Sequence, residues 1–98
     1  MQLGRVIGTV WATRKDPKLT GMKFLIVRHL DFDYREKDAH TVAVDSVGVG
    51  VGEVVLFAAG SSARLTQQTD GTPVDTVIMA IVDKVELDEA AMAAGKSS

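Results

Sequence analysis

Asp45-Ser-Val-Gly-Val-Gly-Val-Gly-Glu-Val-Val-Leu56 places glycine at every second position, Gly48, Gly50 and Gly52, and then runs into an apolar, β-branched stretch. Soon after it comes Gly60-Ser-Ser-Ala-Arg64, four small residues closed by one arginine. Glycine lets backbones approach closely and take φ values that side chains forbid, and it brings no nucleophile, base or metal ligand. The two stretches predict a glycine-punctuated hairpin followed by a small-residue turn. They favour a protein whose task is geometric, packing closely against copies of itself or against neighbours.

Outward from that centre, period-two patterns predict strands on both sides. Leu3 to Thr13 sets Gly4, Val6, Gly8, Val10 and Ala12 on one face and Arg5, Ile7, Thr9 and Trp11 on the other. Met22 to Asp33 is a second strand, covered on both faces around Phe24–Val27. Asp31 to His40 reads as a polar, exposed connection, Thr41 to Ser46 as a short third strand, and Glu53 to Ala59 as the fourth. Ser61 to Gln68 is expected to form one or two helical turns. Thr69 to Pro73 is a turn, and Val74 to Val85 is the longest strand. Asp88 to Ala94 combines good helix formers with acids at its start, where the helix dipole favours them. The expected fold is mainly β: a small, five-stranded, mostly antiparallel OB-like barrel. It has a short helix between strands four and five and a short C-terminal helix. Residues 1–87 would form the barrel and 88–98 the helix and a frayed tail.

The 98 residues make one domain, which buries roughly 60–65% of the surface its unfolded chain exposes, so association would add useful burial. With 46% hydrophobic and 24% charged residues the chain is globular. A net charge of −2 shows none of the basic excess of nucleic-acid binders. There is no cysteine, and hence no disulfide or thiolate site. The N-terminus enters a strand pattern without a secretory apolar segment, and no apolar run approaches the roughly 20 residues of a membrane span. A soluble cytoplasmic protein is the simplest reading.

Candidate chemistry is sparse. Gly48–Gly52 opens a strand, whereas a dinucleotide loop must open a helix. Ser61 or Ser62 as a nucleophile needs a histidine base, and His29 and His40 read as strand-packing or surface residues. Asp31, Asp33 and Asp38 lack calcium-loop spacing and read as a solvated loop. Asp45, Asp75 and Asp83 adjoin apolar runs, so they face solvent or accept from backbone amides or from Arg14, Arg28 or Arg64. Trp11 is equally an interface anchor and a half-buried core residue. No catalytic, cofactor or metal site is expected. From the residues alone, a self-associating structural protein and a small barrel binding a nucleotide, metabolite or single-stranded nucleic acid both stand.

Four pieces in order resemble one family: Gly8-Thr-Val-Trp-Ala-Thr-Arg-Lys15 with Leu19 and Gly21; Val42 through Glu53; Gly60-Ser-Ser-Ala-Arg64; and Pro73-Val-Asp75 leading to Ile81-Val-Asp83. The chain looks like the EutN/CcmL family of bacterial microcompartment vertex proteins, from Leu3 to about Val85. It departs from the pattern at Val49, where alanine is common, and at Trp11, where a smaller apolar residue is frequent. The resemblance implies a non-catalytic barrel that assembles into a homopentamer, or a hexamer in crystals, and caps the vertices of a polyhedral shell beside hexameric shell proteins. It implies subunit or shell contacts at Arg14, Lys15, Gly48, Gly50, Gly52, Glu53, Gly60, Ser61, Ser62, Ala63, Arg64 and Asp75. No membrane, nucleic acid or cofactor partner is implied.

Overall fold

Five strands rich in Val, Ile, Leu and Phe close on themselves in a computed structural model that describes residues 1–12, 17–19, 21–59 and 75–96, with side chains up to Ala93. They are β1 (Gln2–Val10), β2 (Phe24–Leu30), β3 (Glu36–Asp45), β4 (Val54–Ala59) and β5 (Thr76–Ile81). A single 3-10 turn, Pro17–Leu19, precedes β2, and a helix, α1 (Glu89–Lys96), ends the described chain. The barrel order is β1-β2-β3-β5-β4. Hydrogen-bonded neighbours lead from Val10 through Phe24, Val44, Val77 and Ala58 to the opposite end of β1, beside Gln2. A stagger that large requires steeply tilted strands, and the narrow interior is then filled by side chains alone.

Val6, Leu25, Val27, Ala43, Val49, Val55, Phe57 and Ile78 fill that interior. Each large aliphatic side chain so buried stabilises the fold by about 1.5–3 kcal/mol. Gly4 is part of this packing. A Cβ there would overlap Val27 Cγ1 and come within 2.9 Å of both the Arg28 carbonyl and Phe57 Cε1. Outside the wall, Val44 and Val77 pack beneath Leu19, Met22, Phe24 and Met79, which covers the outer face of the sheet at one end.

Several sequence expectations change. The Asp45–Leu56 stretch is not a hairpin, because β3 and β4 are not neighbours. β3 lies parallel to β5, through Val44–Val77 and Asp45–Ile78, and the glycine segment crosses the barrel end to reach β4. The supposed connection before Thr41 is already strand from Glu36. Its side chains are polar because that half of β3 pairs with β2 alone among the described strands and most of its residues are exposed. β1 stops at Val10 and is interrupted by a bulge between Val6 and Gly8, which turns Ile7 outward. β5 ends at Ile81, where the chain leaves the barrel. The helix expected over Ser61–Gln68 lies outside the described residues.

Candidate functional site

Asp45, at the end of β3, organises the glycine segment. Its Oδ1 accepts from the Val47 amide at 2.9 Å and the Gly48 amide at 2.8 Å, and its Oδ2 accepts from the Val49 amide at 2.8 Å. Three backbone amides on one carboxylate curl the chain tightly, and charge-assisted bonds of this kind are about twice as strong as neutral ones. The curl drives Val49 into the barrel, where it is 1% exposed and closes the core like a stopper. The Ser46 hydroxyl donates to the Ile78 carbonyl, and Lys23 Nζ donates to the Val49 carbonyl at 3.4 Å. On the far side the Gly52 amide donates to the Val6 carbonyl at 2.7 Å, and Val6 donates back to the Glu53 carbonyl at 3.0 Å. The segment is thereby stitched to β1 at its bulge.

The three glycines differ in role. Gly48 and Gly52 have φ of +83° and +95°, where an L side chain is strained. Gly50 does not share that backbone, and a Cβ there would meet only Glu53 Oε1, at 3.7 Å. Val47, just before Gly48, and Val51, between Gly50 and Gly52, are exposed. The segment thus presents alternating bare backbone and small apolar side chains on a rigid frame. Trp11, just past β1, is 89% exposed, so it is no core residue. It borders a surface hollow lined by Val10, Ala12, Met22, Lys23 and Phe24.

On the barrel wall, Arg5 and Arg28 face each other across β1 and β2, and Glu36 lies 3.6 and 3.5 Å from them. Arg28 also donates to the Lys37 carbonyl at 3.2 Å, so it serves none of the acids at Asp45, Asp75 or Asp83. Asp31 pairs with Lys37 and Asp33 with Arg35 in the exposed β2–β3 turn. His29 shares a 2.6 Å hydrogen bond with Thr41 Oγ1, and its ring meets Phe57 at 4.9 Å. Burial, and then the electrostatic effect of nearby Lys37 and His40, hold its pKa below the usual 6.5. Among the described residues no three acids or histidines converge to hold a metal ion. Asp75 is exposed ahead of β5. Arg14, Lys15, Gly60, Ser61, Ser62, Ala63 and Arg64 lie outside the described residues. Of the two outcomes the sequence left open for Asp45, the structure shows acceptance from backbone amides. That these amides belong to the glycine segment itself was not read, although an Asp followed by Ser and glycines is a turn signal.

Residues 1–83 match the model of the family described as "Ethanolamine utilisation protein EutN/carboxysome". The chain belongs to the EutN/CcmL family. It is 42% identical over 88 residues to the carboxysome shell vertex protein CcmL of Gloeobacter violaceus, a match covering 90% of this chain and 88% of that one. The microcompartment shell vertex protein PduN of Salmonella typhimurium is 45% identical over 87 residues, covering 85% and 96% respectively. Among solved structures, the pentameric microcompartment shell protein GrpN from Rhodospirillum rubrum superposes with a TM-score of 0.82 at 42% identity, over 90% of this chain and all of that one. The barrel and its Asp45-anchored segment fall within the span that matches the EutN/CcmL model, whereas α1 lies beyond it.

Proposed function

We propose that this chain is a structural, non-catalytic component of a bacterial microcompartment shell, a homopentamer that occupies the vertices and closes the polyhedron. The observation that carries this reading is the 42% identity, along nearly the whole chain, to a protein named as a shell vertex protein. The barrel shared with a pentameric shell protein supports it. A flat sheet of six-fold units cannot close without five-fold units, and a ring of identical subunits closes only if the rotation at each contact is right. A contact built from backbone and small side chains on a stiff frame holds that rotation better than mobile, bulky groups.

In this reading the segment Gly48, Gly50, Gly52 and Glu53, with Asp75, lies against a neighbouring subunit or a hexameric shell protein. Arg14, Lys15 and the stretch Gly60, Ser61, Ser62, Ala63 and Arg64 join them. Gly50 is the most telling of these, because its own barrel leaves room for a side chain there. The test is native mass spectrometry of the purified chain, which should report five copies. A stable single copy that retains a small ligand would replace the shell reading with that of a binding module.

A further inference from the structure

Beyond Ile81 the chain leaves the barrel, yet it is not a loose tail. Val82 donates to the Val54 carbonyl, and the Val85 amide donates to the Tyr34 hydroxyl at 2.8 Å, across 51 residues of sequence. Tyr34 itself adopts a left-handed φ of 68°, uncommon for a side-chain-bearing residue and strained for a bulky one. Asp88 then caps α1, accepting from the Ala91 amide at 2.9 Å. Leu87 and Met92 occupy the positions of a hydrophobic staple around that cap. Every described side chain of the helix is exposed, with Leu87 and Met92 each at 42%. A helix of eight residues is too short to be stable in water on its own propensity. With every described helix side chain exposed and the approach to the helix fixed by these hydrogen bonds, the segment is an aimed, apolar-tipped arm.

A ring contact is heterologous, so each subunit must offer two different, complementary patches. The arm is an apolar patch with the acids Asp88 and Glu89 beside it, Glu86 being paired with Lys84 at 2.7 Å. The hollow beside Trp11 is a concave one, and the exposed Lys23 is in its lining. We infer that α1 of each subunit docks its Leu87–Met92 tip into the Trp11 hollow of the next copy in the ring, so that the arms lock the assembly. This rests on the ring reading above. The arm lies beyond residues 1–83, so the family pattern itself assigns it no role.

The chain has no cysteine, which makes the test direct. The full chain carrying Trp11→Cys and Met92→Cys is treated with a short bismaleimide crosslinker and run on a denaturing gel. A ladder of covalent species up to five copies is expected, while a mixture of the two single variants should give dimers only. Crosslinks confined to single chains would place the arm on its own barrel and overturn the inference. So would an uncrosslinked assembly that is still five copies by native mass. A one-copy mass for the unmodified chain would instead remove the ring reading itself. A second measurement does not depend on crosslinking. Leu87→Asp with Met92→Asp should raise the ring's dissociation constant by at least about tenfold while leaving the β circular dichroism intact. An unchanged constant would overturn the docking.

Discussion

At Gly4 the barrel wall leaves room for a hydrogen atom and nothing larger. Two of the three atoms that a Cβ would meet belong to Val27 and Phe57, themselves packed in the core, and the third is a carbonyl in the β-ladder. None is the free end of a flexible side chain, so Gly4→Ala should cost about 3 kcal/mol in urea unfolding. A loss under about 1 kcal/mol would show that the wall yields. His29 makes a second prediction. Its pKa is lowered in the fold, by burial first and then by Lys37 and His40, so the unfolded chain binds the proton more readily. Stability is therefore whole above about pH 6.5 and declines as the pH falls toward the lowered folded value. Unfolding free energies at pH 7.5 and 5.5 should differ in that direction, and His29→Asn should remove part of the difference. Equal pH dependence in the two proteins would assign the effect elsewhere. The face that carries Val6 was legible, because period-two alternation separates it in β1. The apolar run Phe24–Val27 has no polar alternation and could not show that Leu25 and Val27 are the inward pair. The Asp45 amide bonds were legible only as a possibility, since an acid beside an apolar run has two satisfactory outcomes.

Among the elements, the Asp45–Glu53 crossing shows where pattern reading stops. Its glycines mark a sharp change of direction equally well for a hairpin and for a crossover. What decides is which strand lies beside β3, and that depends on β5, more than thirty residues away. β3 itself was read too short for a related reason. From Glu36 to His40 most residues are exposed, so alternation has little contrast there. The crossing makes separable predictions. Asp45→Asn keeps an acceptor for Val47 and Gly48 but sets an amino group against the Val49 amide. It should cost about 1.5–3 kcal/mol, read as a lowered denaturation midpoint. Gly48→Ala forces a side chain into left-handed backbone and should cost about 1 kcal/mol. Gly50→Leu meets neither obstacle, so the fold of one subunit should hold within about 0.5 kcal/mol while ring assembly falls sharply. If the Gly50→Leu protein still assembles as five copies, the close contact is not at Gly50.

Taken whole, the molecule is a small barrel that keeps much apolar surface outside. Trp11, Ile7, Val47, Val51, Leu87 and Met92 are all exposed large hydrophobics in the single chain. Scattered singly these would be ordinary, but several share the glycine crossing and the arm, the features already argued to make contacts. A chain of 98 residues buries a modest share of its surface, so an assembled ring would supply stability that the isolated subunit lacks. If unfolding and dissociation are coupled in this way, the melting temperature must depend on concentration. For five copies unfolding together, a tenfold rise in protein concentration adds about 1 kcal/mol per subunit, which moves the midpoint of a domain this size up by about 4–8 °C. Scanning calorimetry at two concentrations measures this directly. The Gly50→Leu chain, expected to be monomeric, should melt at one temperature regardless of concentration, and lower than the assembled protein at high concentration. A midpoint independent of concentration in the unmodified chain, together with a five-copy native mass, would mean that the barrel unfolds only after the ring has come apart. The contacts would then serve shell geometry and leave the stability of the subunit to its Val- and Leu-filled core.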